Sequence, residues 1–96
     1  MKENVYQAKL IKRIKNEFDE CMVLKNDSGY LQGIPDILVL CGKKWAALEV
    51  KQSRNAHVQP NQNYYISKMM HMSYATFISP ENENRIFKEL HALFCE

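Results

Sequence analysis

The first apolar stretch of the chain has the spacing of an amphipathic α-helix. Its apolar residues share one face of a helix predicted over residues 3–20, and polar residues, mostly basic, fill the rest of the circumference. The face is formed by Leu10, Ile11, Ile14 and Phe18. Extending it backwards by steps of three and four reaches Gln7 and then Glu3, so both polar side chains are expected to point towards the sheet on which the helix packs.

The remaining apolar runs are short and separated by turn residues, which is typical of strands alternating with helices. Strands are predicted over residues 21–24, 36–41, 45–51 and 75–78. Pro60 suits the first turn of a second helix, and Ser79 with Pro80 suits the start of a third. The order αβββαβα predicts one α/β domain over residues 1–96. Its mixed central sheet is flanked by helices, because the crossover through the second helix makes the last two strands parallel.

Gly42 and Lys43 fit a two-residue type II′ hairpin loop between the second and third strands. A loop of this length places Asp36 directly opposite Glu49 in the antiparallel ladder, with their Cβ atoms roughly 4.5 to 5.5 Å apart. Lys51 falls on the same face because side chains along a strand alternate with a period of two. A three-residue loop would instead make Glu49 a diagonal neighbour of Asp36.

Two carboxylates that face each other at the end of a strand pair require either a raised pKa or a cation between them. A hard divalent ion such as Mg²⁺ is the natural occupant, because it is typically held by one or two carboxylates together with water and phosphate oxygens. Lys51 adds a positive charge that can stabilise a transition state or orient an attacking water. Asp36, Glu49 and Lys51 therefore predict metal-dependent cleavage of a phosphodiester; the competing interpretation is a strand-end salt bridge.

Composition narrows the class of protein without identifying it. The chain has 96 residues, 46% of them hydrophobic, and a formal net charge of +2, which permits nucleic-acid binding and does not demand it. Cys21, Cys41 and Cys95 are odd in number and lack CxxC spacing, so reduced thiols are expected rather than a zinc site or a disulfide framework. No signal peptide or membrane-spanning run is apparent, which predicts a cytoplasmic protein with no membrane partner.

Four ordered motifs resemble one nuclease superfamily. Asp36 with Glu49-Val50-Lys51 is similar to the PD-(D/E)xK signature, and αβββαβ is the core of that restriction-endonuclease-like fold, here followed by a C-terminal helix. More narrowly, the chain resembles the VRR-NUC and phage Holliday-junction-resolvase-like nucleases. The motifs that carry this resemblance are Glu3 with Gln7, Gly33-Ile34-Pro35-Asp36, Glu49-Val50-Lys51 and Pro60-Asn61-Gln62.

The resemblance implies hydrolysis of DNA with Mg²⁺ or Mn²⁺. It implies that Asp36 and Glu49 ligate the metal, with the backbone carbonyl of Val50 as a further oxygen. It also implies that Lys51 positions or activates the water. The same resemblance gives Glu3 and Gln62 catalytic roles, with Glu17 and Gln59 as their alternatives. It further implies a homodimer acting on branched DNA such as a Holliday junction, encoded by a phage or prophage in a bacterial host.

Basic and polar residues near the predicted site are candidates for DNA contacts. Arg54 and His57 follow the third strand directly and therefore lie beside the proposed metal. The other candidates are Lys9, Lys12 and Arg13 on the first helix and Ser28 in the loop before Asp36. Two other functions stay open: a nickase or restriction-type nuclease on duplex or flapped DNA, and a non-catalytic DNA-binding subunit of the same fold.

Overall fold

The computed structural model describes residues 1–95, and its elements follow the predicted order αβββαβα. The elements are α1 (Glu3–Glu17), β1 (Met22–Lys25), β2 (Ile37–Cys41), β3 (Lys44–Val50), α2 (Pro60–Met69), β4 (Tyr74–Ile78) and α3 (Glu83–Phe94). The four strands form one sheet in the order β1-β2-β3-β4. β1, β2 and β3 are antiparallel, and β4 is parallel to β3, so the predicted mixed sheet is confirmed. Among these helices none is both long and apolar enough to cross a bilayer.

The turn between β2 and β3 has the predicted two-residue loop. Cys41 pairs with Lys44, and the ladder runs on to the pair of Ile37 with Leu48. Gly42 has φ of 64°, and no residue other than glycine has a positive φ in residues 1–95, so only the first central position of the turn is left-handed. That combination is type II′, the conformation whose twist matches a hairpin. The next pair beyond the ladder in this register is Asp36 with Glu49.

The two faces of the sheet are covered by different helices. The side chains of Ile37 and Val39 are fully buried on one face, while those of Leu38 and Leu40, which point the other way, are only partly buried. α1 and α3 cover the first face and form the main core, to which α1 contributes Tyr6, Leu10, Ile14 and the following Phe18, and α3 contributes Ile86, Phe87 and Leu90. α2 covers the second face with a smaller cluster formed by Ala47, Ile66 and Ala75.

Two predicted helix boundaries are wrong. α1 ends at Glu17, and the residue that continues its buried face towards the N-terminus is Tyr6, whereas Gln7 is only partly buried. α3 begins at Glu83 rather than at Ser79. The cause is Asn82: its Oδ1 accepts a hydrogen bond from the backbone N–H of Ser79 at 2.8 Å, and its Nδ2 donates to the carbonyl of Phe77 at 3.1 Å. These bonds hold the segment after β4 in a turn, so the helix starts one turn later.

The expectation of three reduced thiols is also wrong. Cys21 and Cys41 form a disulfide, with their Cα atoms 4.5 Å apart, and Cys95 is free and exposed. The register of β1 with β2 pairs Met22 with Leu40, so the next pair outward is Cys21 with Cys41. A directly opposed pair in an antiparallel ladder has this Cα separation where no backbone hydrogen bonds join it. The disulfide therefore follows from the pairing of the two strands.

Candidate active site

Asp36 is held from both sides at the start of β2. Its backbone carbonyl accepts a 2.9 Å hydrogen bond from the N–H of Asn26, and the Asn26 side chain donates to the carbonyl of Pro35 at 2.7 Å. Across the hairpin, the backbone N–H of Val50 donates to Oδ2 of Asp36 at 2.8 Å. The carboxyl group is thereby fixed against β3.

Glu49 and Lys51 lie on the same face of the chain at the end of β3, as the register predicts. Both ionisable residues are buried: Glu49 is 2% exposed and Lys51 is 8% exposed. Their charged atoms, Nζ of Lys51 and Oε2 of Glu49, are 3.9 Å apart. Nζ of Lys51 also donates to the backbone carbonyl of His57 at 3.0 Å. A buried ion pair of this kind is costly unless further hydrogen bonds satisfy both partners.

Gln62 supplies those hydrogen bonds. Its Nε2 donates to Oε2 of Glu49 at 3.0 Å, and its Oε1 accepts from Nζ of Lys51 at 2.8 Å. The same Oε1 accepts from the backbone N–H of Gln59 at 3.0 Å, as part of a capping box at the start of α2. Among the described residues no buried side-chain nitrogen or oxygen lacks a partner. The structure therefore brings Gln62 to the predicted site, with Gln59 beside it.

The carboxylates open onto a cavity of about 510 Å³ at the N-terminal end of α1, which we call the acidic cavity. Its lining consists of Glu3, Ser28, Gln32, Gly33, Asp36, Glu49, Gln59, Asn61 and Gln62. Glu3 is thus the acid of α1 that reaches the site. Glu17, its alternative, lies at the opposite end of the helix and pairs with Arg13 and His91.

The electrostatics of the acidic cavity disfavour a second negative charge. Burial, reinforced by the nearby charge of Asp36, raises the pKa of Glu49 from its ordinary value of 4.5 to about 8. Lys51 acts in the opposite direction, and Glu3 adds a smaller upward effect. A carboxyl group that is buried next to another carboxylate behaves in this way until a cation joins them.

The oxygen donors of the cavity fit a hard divalent cation. Asp36 and Glu49 offer carboxylate oxygens side by side, and Mg²⁺ usually takes one or two such ligands and completes its shell with water and substrate oxygens. Within residues 1–95, no group of three or more His, Cys, Asp or Glu side chains is arranged to hold a metal by itself. Two carboxylates are a partial ligand set, of the size by which Mg²⁺ is usually held when other oxygens complete its shell.

The predicted DNA-contacting residues lie in three places. Ser28 lines the acidic cavity. Arg54 is exposed beside a neighbouring cavity of about 250 Å³, which Lys51 also lines, and His57 is exposed on the same loop. Lys9 and Lys12 are exposed on α1. Arg13 is engaged away from the cavity, since its guanidinium bonds Glu17 and Glu83 at 2.6 Å each and lies 3.8 Å from the centre of the Phe87 ring.

The loop before Asp36 is fastened to α2 by contacts that the sequence motifs did not predict. Nδ2 of Asn61 donates to the carbonyl of Gln32 at 3.1 Å. Gly33, with φ of 92°, lies so close that a Cβ atom added there would be 2.6 Å from Cγ of Asn61. Gly33 and Asn61 each belong to one of the four sequence motifs. The contact between them is seen only in the structure.

The comparisons with known proteins concern the fold. A solved structure named VRR_NUC domain protein superposes with a TM-score of 0.76 over 97% of this chain and 90% of its own, at 16% sequence identity. No protein-family model and no curated protein sequence matches the chain. This chain therefore has the mixed α/β fold of a VRR_NUC domain protein, as the motifs predicted.

Proposed function

We propose that this protein is an endonuclease that hydrolyses DNA phosphodiester bonds with Mg²⁺ or Mn²⁺, by the PD-(D/E)xK mechanism. The observation that carries the proposal is the convergence of Asp36, Glu49 and Lys51, which Gln62 joins by hydrogen bonds to both Glu49 and Lys51. The fold shared with a VRR_NUC domain protein supports a nuclease-type domain. A buried salt bridge alone does not account for the raised pKa of Glu49 or for the open cavity in front of it.

Each residue of the site has a distinct task in this mechanism. Asp36 and Glu49, together with the carbonyl of Val50, would hold the cation, which would supply a Lewis acid to stabilise charge on the phosphate. Lys51 orients the attacking water and offers positive charge where the transition state becomes more negative. Gln62 fixes the positions of Glu49 and Lys51 relative to each other. Glu3 lines the same acidic cavity and completes the site there as a further acid.

Phosphate contacts away from the scissile bond are proposed for residues in three places. Arg54 and His57 are exposed on the loop that follows β3, next to Lys51. Ser28 lies in the cavity wall, and Lys9 and Lys12 are exposed on α1, whereas Arg13 is held in ion pairs with Glu17 and Glu83. The formal net charge of only +2 suits a short contact with the backbone of DNA rather than a long one.

We further propose branched DNA, such as a Holliday junction, as the substrate and a homodimer as the active form. The support is the resemblance of the four motifs to the phage resolvase-like nucleases. Symmetry also supports it, because a two-fold junction needs two cuts and a two-fold dimer presents two equivalent sites. We place the protein in the cytoplasm of a bacterial host that carries the phage or prophage.

The test is cleavage by the purified protein in Mg²⁺ or Mn²⁺ of a four-way junction, a flap, a nicked duplex and a linear duplex. Asp36→Asn and Lys51→Ala should abolish cutting. The matched controls are Asp19→Asn and Lys43→Ala, which change an exposed acid and an exposed lysine outside the acidic cavity and should leave the rate unchanged.

Three outcomes separate the alternatives. Cleavage that persists in both site variants would refute the mechanism. Linear duplex or flap cut as fast as the junction would favour a nickase or restriction-type enzyme. DNA binding without cleavage in either metal would favour a non-catalytic binding subunit of the same fold.

A further inference from the structure

A second cavity, of about 160 Å³, brings together every cysteine of the chain. It lies at the C-terminal end of α1, where Glu17 stands 14 residues beyond Glu3, a distance of about 21 Å along a helix. We call it the cysteine cavity; its lining consists of Glu17, Phe18, Asp19, Glu20, Cys21, Cys41, Phe94 and Cys95. A free thiol and a disulfide thus face the same small space, well separated from the acidic cavity.

The free thiol of Cys95 stands beside a base. Its Sγ is 3.8 Å from Nδ1 of His91, one turn back on α3, and Nε2 of His91 is 2.9 Å from Oε1 of Glu17. The ring of His91 is also packed against that of Phe18, with 4.5 Å between their centres. A carboxylate can only accept a hydrogen bond, so Glu17 keeps the ring hydrogen of His91 on Nε2. The lone pair of Nδ1 then points towards Sγ of Cys95.

Glu17 is suited to this orienting role. Burial opposes its ionisation, but hydrogen bonds from Arg13 and His91 hold the pKa of Glu17 below its usual range. The carboxylate is therefore charged under the conditions in which a thiol reacts. A nucleophile, a base next to it and a third group that orients the base are the arrangement that activates cysteine and serine side chains in enzymes.

We propose that Cys95, His91 and Glu17 form a thiol-exchange site whose substrate is the disulfide of Cys21 and Cys41. The proton of Cys95 passes to Nδ1 of His91, and the thiolate attacks Sγ of Cys21 or Cys41. One S–S bond forms as the other breaks, and the displaced sulfur keeps the electron pair and takes the proton back. One thiol and one disulfide are present before and after, so no external oxidant or reductant is needed.

The charges around the cysteine cavity explain why a base is required and why the exchange is internal. Glu17, Asp19 and Glu20 line it, while two cations close to it are already engaged: Arg13 is paired with Glu17, and Lys44, opposite Cys41 in the ladder, donates to the carbonyl of Leu93. Carboxylates disfavour a thiolate and repel small anionic thiols such as glutathione. A disulfide held in the same cavity is uncharged and is free of that repulsion.

The partner in the exchange is tested by mapping disulfides in the full-length protein purified without reductant. Free thiols are trapped with N-ethylmaleimide, and the linked peptides are identified by mass spectrometry. We expect the label on Cys95 and also on Cys21 or Cys41, together with peptides that join Cys95 to one of them. In Cys95→Ser the label should disappear and only the link between Cys21 and Cys41 should remain.

The base is tested by the rate at which Cys95 reacts with 2,2′-dithiodipyridine, an uncharged disulfide that releases a coloured product. His91→Phe keeps an aromatic ring against Phe18 and removes the base, so we expect the reaction to slow by about tenfold or more. The matched control is His71→Phe, an exposed histidine outside the cysteine cavity, which should react at the parental rate.

Three results would overturn the proposal. The first is label on Cys95 alone with no linked peptide that contains it, and the second is label on all three cysteines. The third is an equal rate of product release from the parent protein and from His91→Phe. None of these results depends on nuclease activity. The proposal of a thiol-exchange site can therefore be refuted while the proposed nuclease function holds, and the nuclease function can be refuted while the thiol-exchange site holds.

Discussion

The backbone N–H of Val50 donates a 2.8 Å hydrogen bond to Oδ2 of Asp36. Val50 lies between Glu49 and Lys51. This bond therefore ties the carboxyl group of Asp36, just before β2, to the segment that carries the other two site residues. The position of Asp36 is thus set by the backbone of its neighbour rather than by a flexible side chain. A substitution that keeps the acceptor oxygen therefore removes the charge of Asp36 while its side chain stays in the same position.

Asp36→Asn should abolish cleavage while leaving the fold intact. The amide oxygen can still accept from the N–H of Val50, but the negative charge that binds a cation is lost. Loss of a residue that supports a metal ligand typically lowers activity by tenfold to about 100-fold, and loss of a ligand itself should lower it further. We therefore expect a cleavage rate at least about 100-fold lower. Cleavage rates and thermal unfolding, each compared with Asp19→Asn, are the measurements. Equal activity in the two variants would contradict the role of Asp36.

The metal-free protein should lose stability as the pH rises. Burial beside Asp36 raises the pKa of Glu49 to about 8 in the folded state, against an ordinary value of 4.5. The folded protein therefore holds this proton more tightly than the unfolded chain. The stabilisation is complete below the unfolded pKa of 4.5 and is lost as the pH rises through the folded pKa of about 8.

Urea denaturation at a series of pH values checks this prediction, with Glu49→Gln as the control. The glutamine does not titrate, so the difference between the two proteins isolates Glu49. The parent should weaken relative to Glu49→Gln between the two pKa values, and Mg²⁺ should reduce that loss because a cation compensates the charge. A difference that grows in the opposite direction would mean that Glu49 is ionised in the folded protein.

Gln62→Ala should impair both stability and activity. It removes the acceptor for Nζ of Lys51 and the donor to Oε2 of Glu49, which leaves the buried ammonium group of Lys51 and the buried carboxyl group of Glu49 with fewer partners. We expect a loss of about 1 to 3 kcal/mol in the free energy of unfolding and a cleavage rate lower by tenfold to about 100-fold. Asn63→Ala, an exposed position on the same helix, is the matched control and should behave like the parent.

Gly33→Ala should destabilise the protein more than Gly42→Ala. Both glycines have positive φ, of 92° and 64°, so both substitutions strain the backbone. Only at Gly33 would the new Cβ also collide, 2.6 Å from Cγ of Asn61, whereas the space around Gly42 is open. We expect a loss of more than about 1 kcal/mol for Gly33→Ala. Chemical denaturation of both variants is the measurement, and equal losses would mean that Asn61 moves aside freely.

Where the connection is short, the sequence predicted the strand register to the residue, although β2 begins one residue later, and β3 begins and ends one residue earlier, than predicted. A two-residue loop at Gly42 leaves one register for β2 and β3, and that register places Asp36 opposite Glu49. The approach of Gln62 to the same point followed from its motif, since the start of a helix at Pro60 fixes the first turn.

Where the connection is long, the sequence left the pairing open. Residues 26–36 join β1 to β2, and a loop of that length permits several registers, so nothing indicated that Cys21 lies opposite Cys41. The start of α3 was missed for a different reason. A serine followed by proline is a good helix start, but the side chain of Asn82 accepts from the N–H of that serine and donates to the carbonyl of Phe77, which delays the helix.

α2 completes the site, but it buries fewer residues than either of the other two described helices. Its first turn contacts the loop before Asp36 through Asn61 and the end of β3 through Gln62, while Ile66 is its one buried residue. Segments with few buried contacts open without global unfolding. Amide hydrogens of α2 should therefore exchange before those of α1 and α3, and on heating the active centre should come apart at a temperature where the main core is still folded.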